Sequence, residues 1–267
     1  MNYRPKKKYG QNFLNGQKDI LSKIIEVSSI SKNTDVLEIG PGQGALTKLL
    51  LDNANSLTAI EIDADLAGVL RENFKNYDNF NLLIADFLEL DLKTLPQDKK
   101  LKVVANIPYY ITSPIINKLI ENRDMIDSIY IMVQKEVGER ICAKKGKTRG
   151  ILTLAIEYYG EAHYLFTIPK EAFTPIPKVD SVFITIKFYD NEKKKYTDII
   201  SEELFFKYIK AAFSNKRKTI VNNFLTLDID KNKICDVLKK VGISEMERGE
   251  NIPIGKYIDL IKEFENL

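Results

Sequence analysis

The chain has 267 residues, of which 44% are apolar and 29% charged. It therefore reads as globular and long enough for one large domain, or one domain with a small appendage. Two cysteines, Cys142 and Cys235, are too few for a disulfide framework and too far apart for a metal site, so a reducing compartment and no metal are expected. No run of roughly eighteen apolar residues occurs, and the basic N-terminus is not followed by an apolar core of signal-peptide length, so a soluble, cytoplasmic protein is expected.

In chain order, residues 1–18 carry Arg4, Lys6, Lys7, Lys8 and Lys18 with no acid. Apolar positions 20, 21, 24 and 25 in NGQKDILSKIIEV predict a helix. Short β-rich runs then alternate with helical patterns: DVLEIG, ALTKLLLDN, SLTAIEID, DLAGVLRENF, FNLLIAD, KVVANIP, SPIINKLIEN and SIYIMVQ. That alternation predicts βαβ units, hence an α/β fold with a mostly parallel sheet and helices on both faces. HYLFTIP and SVFITIKFY follow with little between them and are expected to pair antiparallel. The polar run 190–198 reads as a linker. Beyond it, SEELFFKYIKAAF, KTIVNNFL, KICDVLKKVG and GKYIDLIKEF are helical in period, which predicts a domain at 1–190 and a small α-helical domain at 198–267.

Ligands of parallel sheets bind beyond the carboxyl ends of the strands, and the sequence concentrates unusual residues there. In EIGPGQGALT, Gly40, Gly42 and Gly44 let the backbone turn tightly and approach a ligand. Glu61 follows about twenty residues after Gly40, where an acid suits ribose hydroxyls. The pattern fits NAD and S-adenosylmethionine equally well. The third strand ends in IADF, where Asp86 can accept from an adenine amino group, or simply cap a turn, and Phe87 can pack beside the ring.

The fourth strand ends in NIPYY. The Asn106 side-chain carbonyl can accept from an exocyclic amine, Pro108 stiffens the turn so that the Ile107 carbonyl can do likewise, and Tyr109 offers a face for a base. This set suits methylation of an aromatic amine, whose lone pair is delocalised into its ring until two acceptors pull the nitrogen toward a tetrahedral geometry. A sulfonium donor needs no covalent nucleophile, so positioning and electrostatics suffice. The single histidine, His163, sits in the apolar context AHYLF and reads as structural. Hydride transfer would leave Asn106, Pro108 and Tyr109 unexplained.

Net charge is only +3, but the cations cluster. Besides the N-terminal set, Lys207, Lys210, Lys216, Arg217 and Lys218 form an acid-free group, and Lys144, Lys145, Lys147 and Arg149 a third. Together they point to a polyanionic partner. Ser214 or Asn215 is the expected cap of the helix that follows, which would place Lys216, Arg217 and Lys218 in its first turn.

On GQNFL (10–14), EIGPGQGALT, AIEID, IADF, NIPYYITSP, MVQKEVGER, AFTPIPKVDS, AAFSNKRKTI and RGENIPI, in that order and spacing, the chain resembles the ribosomal RNA adenine N6,N6-dimethyltransferases. FTPIPKVDS with FSNKRKT resembles the bacterial small-subunit (16S) branch more than the large-subunit macrolide-resistance methylases. The resemblance implies a Rossmann-like S-adenosylmethionine-dependent methyltransferase domain with a C-terminal helical domain that recognises RNA. It implies transfer to the N6 amines of two adjacent adenines near the 3′ end of 16S rRNA during small-subunit biogenesis, by a monomer. It also implies that Asn12, Leu14, Gly40, Glu61, Asp86 and Asn106 bind the cofactor and that Tyr109 and Phe173 sandwich the target adenine. Gly42 and Phe87 join the expected cofactor set, Pro108 the catalytic turn, and Lys6, Lys7, Lys8, Lys216, Arg217 and Lys218 the expected RNA contacts. Two residues depart from the family: Ile107 replaces a usual Leu, and Arg149 replaces an aromatic before Gly150. The competing classes are an amide-nitrogen or DNA methyltransferase, whose motif has proline where Ile107 stands, and a non-catalytic assembly factor on the same fold.

Overall fold

The structure is a computed structural model that describes residues 5, 6, 9–96, 98–189 and 195–267. Arg4, Lys7 and Lys8 of the basic N-terminus, and residues 190–194 of the expected linker, lie outside them. The chain divides into two compact units, 1–138 with 163–188, and 139–162 with 189–267.

The first unit is built on strands β2 (Asp35–Ile39), β3 (Ser56–Glu61), β4 (Phe80–Ile84), β5 (Leu101–Asn106), β6 (Ile126–Gln134), β7 (Gly160–Ile168) and β9 (Ser181–Phe188). Their order in the seven-stranded sheet is β4-β3-β2-β5-β6-β9-β7. β2 is buried at all five residues, as a strand covered on both faces requires. β2 pairs parallel with β3 and β5, β3 with β4, and β5 with β6. β9 runs antiparallel to β6, from Ser128↔Lys187 to Gln134↔Ser181, and separates β6 from β7. His163 is exposed on β7.

Helices α1 (Lys18–Ser28), α2 (Ala45–Asn53), α3 (Ala64–Phe74) and α4 (Thr112–Glu121) fall where the periodicity places them. α1 buries Leu21 and Ile24, and α3 starts on an Asp63 cap whose side chain accepts from the Asp65 N–H at 3.1 Å. A two-residue strand near the N-terminus, β1 (Phe13–Leu14), pairs antiparallel with β8 (Phe173–Thr174). The chain runs outward from β2 to β4 and then returns to β5 on the other side of β2. The resulting switch point between β2 and β5 is where such sheets open a crevice.

The second unit holds α6 (Ile151–Tyr159), α7 (Glu202–Ala212), α8 (Ile220–Phe224), α9 (Lys231–Lys240) and α10 (Ile254–Glu265), while α5 (Lys135–Cys142) straddles the division. Residues 139–162, which end in the first three residues of β7, thus group with the C-terminal helices, a departure from a boundary at 190. The reason is apolar surface: α6 buries Leu154, Ala155, Ile156, Tyr158 and Tyr159. Tyr158 stacks on Phe205 of α7 with ring centroids 4.2 Å apart and donates its hydroxyl to the Ile200 carbonyl. Tyr208, Phe224 and Phe264 form a second aromatic group.

Arg149 corrects the reading of the third basic cluster. Its side chain is fully buried, ion-paired to Glu157, and donates to the carbonyls of Ile252 at 2.8 Å and Glu250 at 3.3 Å. It is core, not a surface cation.

Candidate functional site

The carboxyl ends of β2, β3 and β5 surround a cavity of about 210 Å³, with Ile39, Gly40, Gly42, Ile60, Glu61, Asn106 and the residues after them on its walls. The β2 wall is the Gly-rich turn. Gly42 has φ 58°, and a Cβ there would come 2.7 Å from the Phe13 ring, so both conformation and space demand glycine. Its N–H donates to Glu61 Oε2 at 3.2 Å.

Glu61 ends β3 with only 4% of its surface exposed. Oε1 accepts from the Asp63 N–H at 2.9 Å. Burial holds this carboxyl above the usual range, partly offset by the backbone donors. A carboxylate has about four lone-pair sites, so two backbone bonds leave acceptor capacity toward the cavity. Glu38, on β2, is buried too and pushed up to about 8, by burial first, with the neighbouring Glu61 charge adding and the Thr47 hydroxyl, donating at 2.8 Å, opposing.

Beyond β4, Asp86 is exposed, borders the cavity and accepts from the Leu88 N–H at 2.8 Å, so it caps its turn and faces the cavity at once. Phe87 is buried behind it and also lines the cavity.

Asn106 ends β5. Its amide nitrogen donates to the Asn12 carbonyl at 2.8 Å. A carbonyl can only accept, so this bond fixes the orientation of the amide and leaves Oδ1 as its acceptor at the cavity. Pro108 precedes a 3₁₀ turn, Tyr109–Ile111. The Tyr109 hydroxyl shares a 2.7 Å hydrogen bond with the buried Ser181, and burial raises that phenol above its ordinary value. Tyr9, Gly10, Gln11, Asn12 and Phe13 form the remaining wall, and Tyr110, 61% exposed, lies at the cavity.

The structure therefore brings together Asn12, Gly40, Gly42, Glu61, Asp86, Phe87, Asn106, Pro108 and Tyr109. It does not bring Leu14 or Phe173 to the cavity. Both are buried in the hydrophobic core, Phe173 at 1% exposure, because β1 and β8 pair them with each other. The expectation that Phe173 faces the cleft is corrected accordingly. Lys6 is not presented as a phosphate contact: its ammonium pairs with Asp63 and Asp65. Lys216, Arg217 and Lys218 are exposed but precede α8, whose cap is Thr219; Asn215 instead accepts from the Arg217 N–H and caps the turn itself. Asp63 and Ser181 were not singled out from the sequence; an acid after AIE and a serine after two prolines carry no local signal of their partners.

Among the described residues no three His, Cys, Asp or Glu gather as a metal site, and no helix is long and apolar enough to cross a membrane.

A parallel sheet with this switch point, opening onto an acid at the end of β3 and a polar turn at the end of β5, is that of the Rossmann-like methyltransferases that use S-adenosylmethionine. Within that class, residues 2–266 match the ribosomal RNA adenine dimethylase family, to which the chain belongs. It is 63% identical over 265 residues, 99% of each chain, to ribosomal RNA small subunit methyltransferase A of Fusobacterium nucleatum. It is 38% identical over 261 residues, 96% of each chain, to the protein of the same name in Mycoplasma capricolum. A dimethyladenosine transferase from Plasmodium falciparum shares 27% identity and superposes with a TM-score of 0.80 over 95% of this chain and 98% of that one. The 23S rRNA methyltransferase ErmE, at 24% identity and a TM-score of 0.74 over 95% and 100%, shares the fold.

Proposed function

We propose that the chain dimethylates the N6 amines of two adjacent adenines in a loop near the 3′ end of 16S rRNA, acting in the cytoplasm as a monomer on the small ribosomal subunit or its precursor. The observation that carries this reading is the Asn106 amide, fixed by the Asn12 carbonyl so that an acceptor faces the cavity beside the Ile107–Tyr109 turn. Asn106 Oδ1 and the Ile107 carbonyl accept the two hydrogens of the amine and draw its lone pair out of the ring. Tyr109, tethered by Ser181, holds the base. S-adenosylmethionine supplies an already activated methyl group. Asn12, Gly40, Gly42, Glu61, Asp86, Phe87 and Asn106 hold it, with Glu61 accepting from the ribose hydroxyls. The target base leaves a loop or stack to reach this pocket. Lys216, Arg217 and Lys218, all exposed, contact phosphates of the RNA from the helical unit.

The test uses labelled S-adenosylmethionine with under-methylated small subunits, naked large-subunit RNA or duplex DNA. Label is expected on adenine N6 in the small subunit alone. Asn106→Ala is expected to lose about a hundredfold or more in turnover, the cost of a missing preorganised partner. Changing Lys216, Arg217 and Lys218 together to Glu is expected to weaken subunit binding and lower its salt slope by up to about three, with cofactor affinity unchanged. Label on another substrate, or full turnover of Asn106→Ala, would overturn the reading.

A further inference from the structure

We propose that Lys6 is a positioning residue: with Asp63 and Asp65 it forms an ionic clasp that closes the N-terminal wall over the cofactor cavity and governs release from it. This rests on the cavity being the cofactor site.

The Lys6 ammonium lies 2.7 Å from Asp63 Oδ1 and 2.6 Å from Asp65 Oδ2. The Lys6 N–H donates to Gln11 Oε1 at 2.7 Å, and Gln11 Nε2 reaches Asp63 Oδ2 at 3.5 Å. Hydrogen bonds to Asp63 and then Asp65 hold the ammonium above its ordinary range. One residue thus ties its own segment and the start of α3 together.

The tie reaches the cavity floor. The Asp63 side chain is 2% exposed, and a carboxylate so placed requires partners; Lys6, Gln11 and the Asp65 N–H provide them. The N–H of the same residue donates to Glu61 Oε1. The clasp is therefore one residue removed from the carboxylate at the cavity wall.

Residues Tyr9 to Phe13 line the cavity between two attachments. On the C-terminal side, β1 pairs with β8, and the Asn15 N–H donates to the Ala172 carbonyl at 2.8 Å. On the N-terminal side the shortest described ties are the two ion pairs of Lys6, beside the longer Gln11–Asp63 hydrogen bond. Backbone pairing within a core is insensitive to salt, whereas an ion pair that is partly exposed, as Lys6 is at 33%, weakens as salt rises. The wall should therefore open at the Lys6 end. Opening returns Asp63 to water, so a cofactor held behind Gln11 and Asn12 leaves at a rate the clasp controls.

The experiment measures S-adenosylmethionine affinity by calorimetry and its dissociation rate by stopped flow, at low and high salt, for the unaltered protein, Lys6→Met, Lys6→Arg, and the exchanged pair Lys6→Asp with Asp65→Lys. Lys6→Met is expected to raise Kd roughly threefold to tenfold, the scale of two partly exposed ion pairs, almost entirely through faster dissociation. It should also remove the salt dependence of that rate, raise the cofactor KM and leave kcat at saturating cofactor in place. Lys6→Arg should restore affinity and salt response, and the exchanged pair should recover part of both. Thermal midpoints check that each variant is folded. Unchanged dissociation in a folded Lys6→Met would overturn the clasp. So would lost affinity for small subunits with cofactor binding intact, since Lys6 would then be a phosphate contact. Failure of the unaltered protein to bind S-adenosylmethionine would instead overturn the cofactor site itself.

Discussion

Arg149 and Glu61 are both buried charges, one in each compact unit, and they are satisfied in opposite ways. Arg149 spends its terminal nitrogens on Glu157 and on two backbone carbonyls, deep among apolar helices. Glu61 borders a cavity and accepts from the backbone N–H groups of Gly42 and Asp63, which leaves acceptor capacity on a side chain that lines that cavity. Burial alone does not mark a functional charge. What separates the two is whether the hydrogen-bonding capacity left over faces a space that a ligand can fill.

Three experiments would break or sharpen that contrast. The largest effect is expected from Arg149→Ala, which strands the largely buried Glu157 and two carbonyls. A loss of about 3 to 5 kcal/mol in stability is expected from removing one partner of a buried pair, read by chemical denaturation, with S-adenosylmethionine affinity intact in the folded fraction. If affinity fell and stability held, the contrast would be inverted. Glu61→Ala should do the reverse, weakening cofactor binding by about 1.5 to 3 kcal/mol, as expected for hydrogen bonds to a charged group. Calorimetry giving unchanged affinity would remove Glu61 from the site.

Glu38 supplies the smallest effect per unit of pH and the sharpest comparison, since it lies near Glu61 but is turned to Thr47. Its carboxyl is raised to about 8 from an ordinary 4.5, chiefly by burial. Between those values the folded state keeps a proton that the unfolded chain has lost. Stability should therefore fall as pH rises through that window, by up to about 1.4 kcal/mol per unit for one proton. Glu38→Gln keeps an acceptor for Thr47 and should flatten the slope; a slope that survives would assign the linkage elsewhere.

Most of the sheet was legible because each strand ends where its chemistry begins. Gly40 and Gly42 adopt the positive φ their type suggested, and the NIPYY stretch does leave a strand for a cavity. What escaped depends on partners distant in sequence. The family resemblance puts Phe173 against the target base, yet pairing with Leu14 places it in the core. Lys6 looked like one cation among several, and its acids lie beyond β3. Arg149 was counted with surface lysines because the carbonyls that hold it come from residues 250 and 252. The cap of α8 is Thr219 rather than Ser214 or Asn215 for a local reason: an Asn side chain can close a turn as readily as start a helix.

The pairing of β1 with β8 also sets a schedule. Phe13 finds Thr174, and Leu14 finds Phe173, so one stretch waits for another that is synthesised about 160 residues after it. Closing so long a loop costs little more than closing a moderate one; the cost is time. At about 5 to 20 residues per second, a nascent chain that has already delivered β2 to β4 still lacks a partner for residues 13 and 14 for roughly 5 to 20 s. Until residue 174 leaves the ribosome, the wall from Tyr9 to Phe13 lacks the strand pairing at its inner end. The pocket is thus completed only after nearly all of its sheet has been made.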